Sequence, residues 1–286
     1  MTPRWPVAAA GWWGWSRRRW LAAALGGLAG LGGGQAQAES ALVLATTTSV
    51  EHSGLMAHLL PRLQRDTGLR VRVVALGTGQ ALDVARRGDA DAVLVHDETA
   101  EERFMAEGWG ERRLRVMRND LVLLGPPHDP AGVRAAAGDD AVRALAHLAR
   151  RRATFVSRAD RSGTHLAELR LWQLAGVDVR ALTQRRECGC GMGMALAMAA
   201  ALAAYTLSDR ATWLAWRPHE ALAVLVERDP RLANPYHVIV VNPARHPHVR
   251  AQAARRLAEW LTGPNGQQAI ATFRLRGQVA FLPAAG

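Results

Sequence analysis

From residue 41 to residue 107 the chain runs strand, polar loop and helix three times in succession. Ala41-Leu42-Val43-Leu44-Ala45 is an apolar run of buried-strand type, and Thr46-Thr47-Thr48-Ser49 follows it directly. A helical period then extends from Gly54 to Thr67, with Leu55, Leu59, Leu60 and Leu63 on one face and Gly68 placed to end it. Val71-Arg72-Val73-Val74 is the next strand, Gly77-Thr78-Gly79-Gln80 its loop, and Ala81 to Arg87 its helix. Ala92-Val93-Leu94-Val95 is the third strand, leading through His96-Asp97 into a helix over Glu98 to Glu107. Parallel strands need a crossover helix between them, so this alternation folds as a parallel α/β sheet. The three polar loops then lie at the carboxyl ends of strands, the edge at which open α/β sheets hold ligands.

The second half repeats the theme less regularly. Leu121 to Leu124 reads as a strand stopping at Gly125-Pro126-Pro127, and that break reads as the crossover into a second lobe. A helix over 139–152 leads into the strand Ala153-Thr154-Phe155-Val156, then a polar turn, then a helix from Leu166 to Leu174. Gly189-Cys190-Gly191-Met192-Gly193 opens an Ala-rich helix over Met194 to Ala204. Tyr205 to Arg210 is a short strand and turn, Leu222 to Val226 and His237 to Val241 are strands, and Arg250 to Leu261 is an amphipathic helix. The expected organisation is a leader at 1–38, a first α/β lobe at 39–124, a second at 125–236 and a return to the first at 237–286. Two lobes with a cleft between them enclose small ligands by hinge closure.

The turn that organises the second lobe is Ser157-Arg158-Ala159-Asp160-Arg161-Ser162-Gly163-Thr164-His165. A strand, a polar turn and a helix start meet there. The first N–H groups of a helix lack partners inside it and form a ready anion site. Ser162 and Thr164 add hydroxyls, and Arg158 adds a planar charged fork suited to an oxyanion. The bland alternative is a helix cap with a surface arginine. Thr46-Thr47-Thr48-Ser49 offers more hydroxyls than a cap needs, and Gly77-Thr78-Gly79 lets a ligand approach the backbone.

Other chemistries fit less well. The net charge is +11, which invites a nucleic-acid reading, yet the chain has no lysine and its arginines are scattered without interleaved aromatics. Ser162, His165 and Asp160 are too close in sequence to assemble a triad, and no G-x-S-x-G elbow is present. The Gly189 to Gly193 run lacks the spacing of a dinucleotide fingerprint, and no phosphate-binding G-x-x-x-x-G-K-[ST] occurs. The histidines show no metal-ligand spacing, so neither a metal nor a cofactor is expected. The spacing of Cys188 and Cys190 favours two small, unbridged loop or core-facing side chains, with a disulfide as the second reading.

The N-terminus reads as an export signal. Arg17-Arg18-Arg19 precedes a short apolar run over Leu21 to Leu31, and Ala36-Gln37-Ala38 is a small-x-small cleavage sequence, so cleavage is expected after Ala38. Four arginines and no acid lie within this leader, which leaves +7 on the remainder. A moderately positive surface steers small anions.

Seven motifs then occur in a telling order: Thr46-Thr47-Thr48-Ser49, Gly77 to Leu82, Asp91 to His96, Phe155 to His165, Gly191-Met192-Gly193, Ala204 to Arg210, and Asn234-Pro235-Tyr236. Together they resemble the periplasmic tungstate-binding proteins of ABC-type uptake systems, over nearly the whole span from Leu44 to Phe281. The resemblance implies a type II periplasmic binding protein fold, two lobes joined by two hinge strands. It also implies an exported monomer that is not an enzyme, and that carries tungstate to a membrane permease driven by a separate ATPase. The oxyanion donors are then Thr47, Thr48, Ser49 and Thr78 from the first lobe, and Ser157, Arg158, Ser162, Gly163, Thr164 and Gly193 from the second. Molybdate shares tungstate's charge and shape. Phosphate, which keeps a proton, would require an acceptor such as Asp97 or Asp160, and an enzyme acting on phosphate or sulfate esters is the rival of another class.

Overall fold

The computed structural model describes residues 41–284, so the leader and its cleavage after Ala38 lie outside the described residues. The elements run in chain order as β1 (Leu42–Thr47), α1 (Thr48–His52), α2 (Leu55–Thr67), β2 (Val71–Leu76), α3 (Thr78–Arg86), β3 (Ala92–Val95), α4 (Glu98–Ala106), β4 (Gly110–Arg118) and β5 (Leu121–Gly125). They continue as α5 (Val133–Ala137), α6 (Ala141–Arg150), β6 (Phe155–Ser157), α7 (Gly163–Leu174), β7 (Arg185–Glu187), α8 (Met192–Ala201), β8 (Tyr205–Asp209), α9 (Arg210–Ala215) and β9 (Ala223–Val226). The chain closes with β10 (Pro235–Val241), α10 (Ala251–Thr262), α11 (Pro264–Thr272) and the short strands β11 (Arg274–Leu275), β12 (Gln278–Val279) and β13 (Leu282–Pro283).

Two sheets form the two lobes. The first has the order β13-β4-β10-β3-β1-β2, and the second β7-β6-β8-β5-β9. β1 pairs in parallel with both β2 and β3, as three successive strand–helix units require, and β6 pairs in parallel with β7 and β8. β10 runs antiparallel between β3 and β4, and β5 antiparallel between β8 and β9. This is the α/β, two-lobed architecture expected from the sequence.

Period-2 alternation decides which side of the first sheet each residue feeds. Leu42, Leu44, Ala92 and Leu94 face α2, α10 and α11 through Leu55, Leu59, Leu257 and Ile270. Ala45, Val93 and Val95 face the opposite way, onto Leu82, Ala85 and Phe104 of α3 and α4. Both sides are buried, which is why these strands read as unbroken apolar runs. The second sheet packs Leu121, Leu123, Phe155 and Tyr205 against Leu145 and Leu148 of α6 and Trp172 of α7.

The structure corrects two expectations and adds two strands. The chain changes sheet at Asn119-Asp120, ahead of β5, so Leu121–Gly125 is an inner strand of the second sheet rather than the end of the first. The Gly125-Pro126-Pro127 break merely ends that strand. Cys188 and Cys190 are joined in a disulfide. The favoured unbridged reading fails because Gly189 adopts a left-handed backbone at φ +62°, which bends the chain enough to bring the sulfurs together. Two Arg-rich strands were not anticipated: β4, where Arg112, Arg113, Arg115 and Arg118 interrupt Leu114, Val116 and Met117, and the edge strand β7.

Candidate functional site

The carboxyl edge of the first sheet holds the hydroxyl run, but not as a free loop. Thr46 and Thr47 belong to β1, and Thr46 Oγ1 donates to the Leu94 carbonyl at 2.8 Å, a cross-strand tie. Thr47 Oγ1 lies 3.0 Å from Ser49 Oγ, and Ser49 Oγ lies 3.2 Å from the Tyr236 hydroxyl. Burial pushes the ionisation of Tyr236 up, so its hydroxyl keeps its proton and holds the Ser49 side chain in place. Thr48 is exposed at the start of α1. Thr78 is the first residue of α3. It is buried, and its Oγ1 has no hydrogen-bond partner within the protein.

The second sheet presents the Arg158 turn. Ala159 at φ +51° and Arg161 at φ +60° are left-handed without being glycine, a backbone that costs energy at each residue. Such a turn persists only when its surroundings over-determine it. Asp160 does so: its carboxylate accepts from Ser162 N at 3.1 Å and Ser162 Oγ at 2.6 Å, and also pairs with the Arg158 guanidinium. Burial alone would raise its pKa. The hydrogen bonds from Ser162 and the charge of Arg158 outweigh that and hold the carboxyl below its ordinary value. Arg158 is largely buried, its Nη2 faces Asp160, and its Nε has no partner within the protein. One edge of the guanidinium is thus fixed by Asp160, and Nε is left without a partner in the protein.

Ser162 caps α7, accepting from His165 N at 3.4 Å, and Gly163 and Thr164 supply the first N–H groups of that helix. Thr164 is buried in the first turn. Gly193 is exposed at the second position of α8, behind the cap residue Gly191. The Ser157 side chain is otherwise engaged: it donates to Glu168 at 2.6 Å and accepts from Arg185 at 2.7 Å within a buried ion pair. The triad geometry does not form. Ser162 Oγ donates to Asp160, and His165 Nδ1 instead accepts from Arg161 N at 3.1 Å.

The lobes meet at His96. Its ring stacks on Tyr236 with centroids 4.5 Å apart, and its Nδ1 lies 2.8 Å from Asn234 Oδ1. Burial lowers the pKa of His96, so the ring is neutral at pH 7 and Nδ1 carries the proton donated to Asn234. Gly163 approaches so closely that a Cβ there would lie 2.9 Å from His96 Cε1 and 3.4 Å from its carbonyl oxygen. Gly163→Ala is therefore expected to hold the lobes apart, weakening ligand binding about tenfold or more while leaving the fold intact. Titration calorimetry checks this, and unchanged affinity would show that closure does not need the contact. A cavity of about 120 Å³ beside this contact is lined by His96, Asp97, Gly163, Arg170 and Asn234.

Charge at the site is nearly balanced. Arg158 is offset by Asp160, His96 is neutral, and Asp97 Oδ1 caps α4 by accepting from Ala100 N at 3.1 Å. The remaining donors of the turn and the helix starts are hydroxyls, N–H groups and the Nε edge of Arg158, with Arg170 lining the adjacent cavity. Such a set suits an anion with no proton of its own. Among the described residues, no group of three or more His, Cys, Asp and Glu side chains is arranged to hold a metal ion. Sequence reasoning missed Tyr236 and the role of Asp160. The first lies 187 positions from the serine it orients; the second was signalled by an acid between Arg158 and Ser162.

The chain is similar to known proteins over most of its length. A family model described as a PBP superfamily domain matches residues 34–265. The tungstate-binding protein TupA of Peptoclostridium acidaminophilum is 40% identical over 237 residues, 83% of this chain and 82% of that protein. The solved tungstate-binding protein TupA of Desulfovibrio alaskensis G20 superposes with a TM-score of 0.78 at 38% identity, covering 85% of this chain and 98% of the other. A structure described as the tungstate ABC transporter from Geobacter sulfurreducens superposes at 0.75 with 43% identity, covering 82% and 99%.

Proposed function

We propose that this chain, which belongs to the PBP superfamily and within it to the family of TupA tungstate-binding proteins, captures tungstate between its two lobes and delivers it to an ABC transporter. It is a solute-binding protein and not an enzyme, as its relatives are. The observation that carries the ligand reading is the pair of buried donors without partners in the protein, Thr78 Oγ1 on the first lobe and Arg158 Nε on the second. Buried polar groups are almost always satisfied, and these two donors, one after a strand of each sheet, leave hydrogen-bonding capacity that an oxyanion would complete.

Tungstate at neutral pH is a dianion without a proton, so donors alone suffice to hold it. Thr47, Thr48, Ser49 and Thr78 would serve it from the first lobe, and Arg158, Ser162, Gly163, Thr164 and Gly193 from the second, with Ser157 contributing through the support its side chain gives the turn. Phosphate would require a free acceptor, and Asp97 and Asp160 already serve as a helix cap and as the brace of Arg158. Binding by neutral dipoles and a single balanced cation also permits release, which suits a carrier. Closure that brings both donor sets onto one ion couples binding to hinge motion.

The rest of the cycle follows from the same reading. Residues 1–38 direct export and are removed after Ala38, and the soluble monomer works in the periplasm. It docks on a membrane permease powered by a separate ATPase. Titration calorimetry with tungstate, molybdate, sulfate and phosphate tests the proposal. Tight 1:1 binding of tungstate, shared at most by molybdate, is expected. No heat with tungstate, or tighter binding of phosphate, would overturn it.

A further inference from the structure

The Cys188–Cys190 bridge sits against the Arg158 turn, and we infer that it is a positioning element of the oxyanion site. The inference rests on the function proposed above. Both cysteine N–H groups donate to that turn, Cys188 N to the Ser157 carbonyl at 3.0 Å and Cys190 N to the Arg158 carbonyl at 3.2 Å. These bonds carry the parallel pairing of β6 and β7 beyond its last pair, Ser157 with Glu187. Gly189, between the cysteines, bulges out of that ladder in its left-handed conformation. Gly191, the residue after Cys190, caps α8, whose first turn contains Gly193. One covalent clamp therefore bears on both second-lobe donor groups, the Arg158 guanidinium and the start of α8.

The physical division of labour is clear. Asp160 fixes the strained turn from its side-chain side, and the bridge fixes it from the backbone side. A bridge spanning a single residue removes little entropy from the unfolded chain, so its contribution to global stability is small. Its effect is local: it removes the freedom of Gly189 and holds two N–H donors in register with two carbonyls. Both cysteines are only half-buried, so a small dithiol reaches them. In that exchange the S–S bond breaks, the dithiol supplies two electrons and two protons, two thiols form, and the dithiol closes into its own disulfide. The residue between the thiols then regains its conformational range, and Arg158 loses its backbone restraint.

The test compares tungstate binding by the oxidised protein, the same protein after dithiothreitol, and the Cys188→Ser/Cys190→Ser variant. Reduction is expected to weaken tungstate binding about tenfold, equivalent to about 1.4 kcal/mol. Reoxidation restores the affinity, and the serine variant matches the reduced protein and ignores dithiothreitol. The ligand-free melting temperature should stay within about 2 °C throughout, which a merely structural staple would not allow. Equal affinity in the two redox states would overturn the inference. So would a loss of affinity matched by a loss of ligand-free stability. If the oxidised protein binds no tungstate, the functional proposal falls and this inference with it; tight binding indifferent to redox state overturns the inference alone.

Discussion

Arg158→Ala is expected to weaken tungstate binding by roughly two orders of magnitude or more while leaving the ligand-free protein folded. Removing one partner of a buried, charge-assisted hydrogen bond costs about 2–5 kcal/mol, and each 1.4 kcal/mol is a factor of about ten in affinity. The guanidinium belongs to the proposed donor set, and its unpartnered Nε is buried. The fold should tolerate the change because Asp160 keeps both contacts from Ser162, the N–H at 3.1 Å and the hydroxyl at 2.6 Å. Arg158→Lys should also bind weakly, since a point charge on a flexible stem replaces an oriented planar fork. Calorimetry with tungstate reads the affinity and circular dichroism the fold. Wild-type affinity in Arg158→Ala would remove this residue from the site.

The second large effect concerns stability. Glu168 and Arg185 form a buried ion pair at 2.9 Å between α7 and β7, and Glu168 also accepts from Ser157 Oγ and from Trp172 Nε1 at 3.3 Å. Glu168→Ala leaves the Arg185 charge buried with only Glu187, which is exposed, as its carboxylate partner. Breaking a buried pair from one side costs about 3–5 kcal/mol. For a domain of this size that lowers the melting temperature by on the order of 10 °C. A thermal melt of the ligand-free variant reads it, and a shift below about 2 °C would mean that water reaches the pair. Because Ser157 loses its acceptor in the same variant, the Arg158 turn should loosen as well.

Much of the first lobe was legible because its signals are local. β1 and β3 are apolar runs buried on both faces of the sheet, and β2, at its edge, is apolar apart from Arg72. β4 was not legible, although it sits between β10 and β13. Arg113 stands there on an ion pair with Glu101 at 2.8 Å, so an ionic partner takes the place of an apolar one. The sheet change at Asn119-Asp120 was misplaced for a similar reason: a proline pair is a conspicuous break, whereas a polar dipeptide between two strands is not.

The site divides in the same way. Arg158, Ser162 and Thr78 stand out by residue type at a strand–helix junction. The links between Ser49 and Tyr236, and between Gly163 and His96, join distant positions and leave no mark within either motif. The cysteine pair shows the converse: the spacing was visible, but its outcome turned on the backbone angle of one glycine.

The two segments that pass between the lobes are laced to each other. Asn119 N donates to the Asn234 carbonyl at 3.0 Å, and Asn234 Nδ2 returns a bond to the Asn119 carbonyl at 2.9 Å. The Asn119 side chain also grips Asp209 and Ala211 at the start of α9. Two crossings tied together in this way act as one axle. Opening is then expected as rotation about that one axis rather than as sliding of one lobe past the other. A distance measured across the cleft should therefore change on adding tungstate, while a distance measured across the Asn119–Asn234 tie stays fixed.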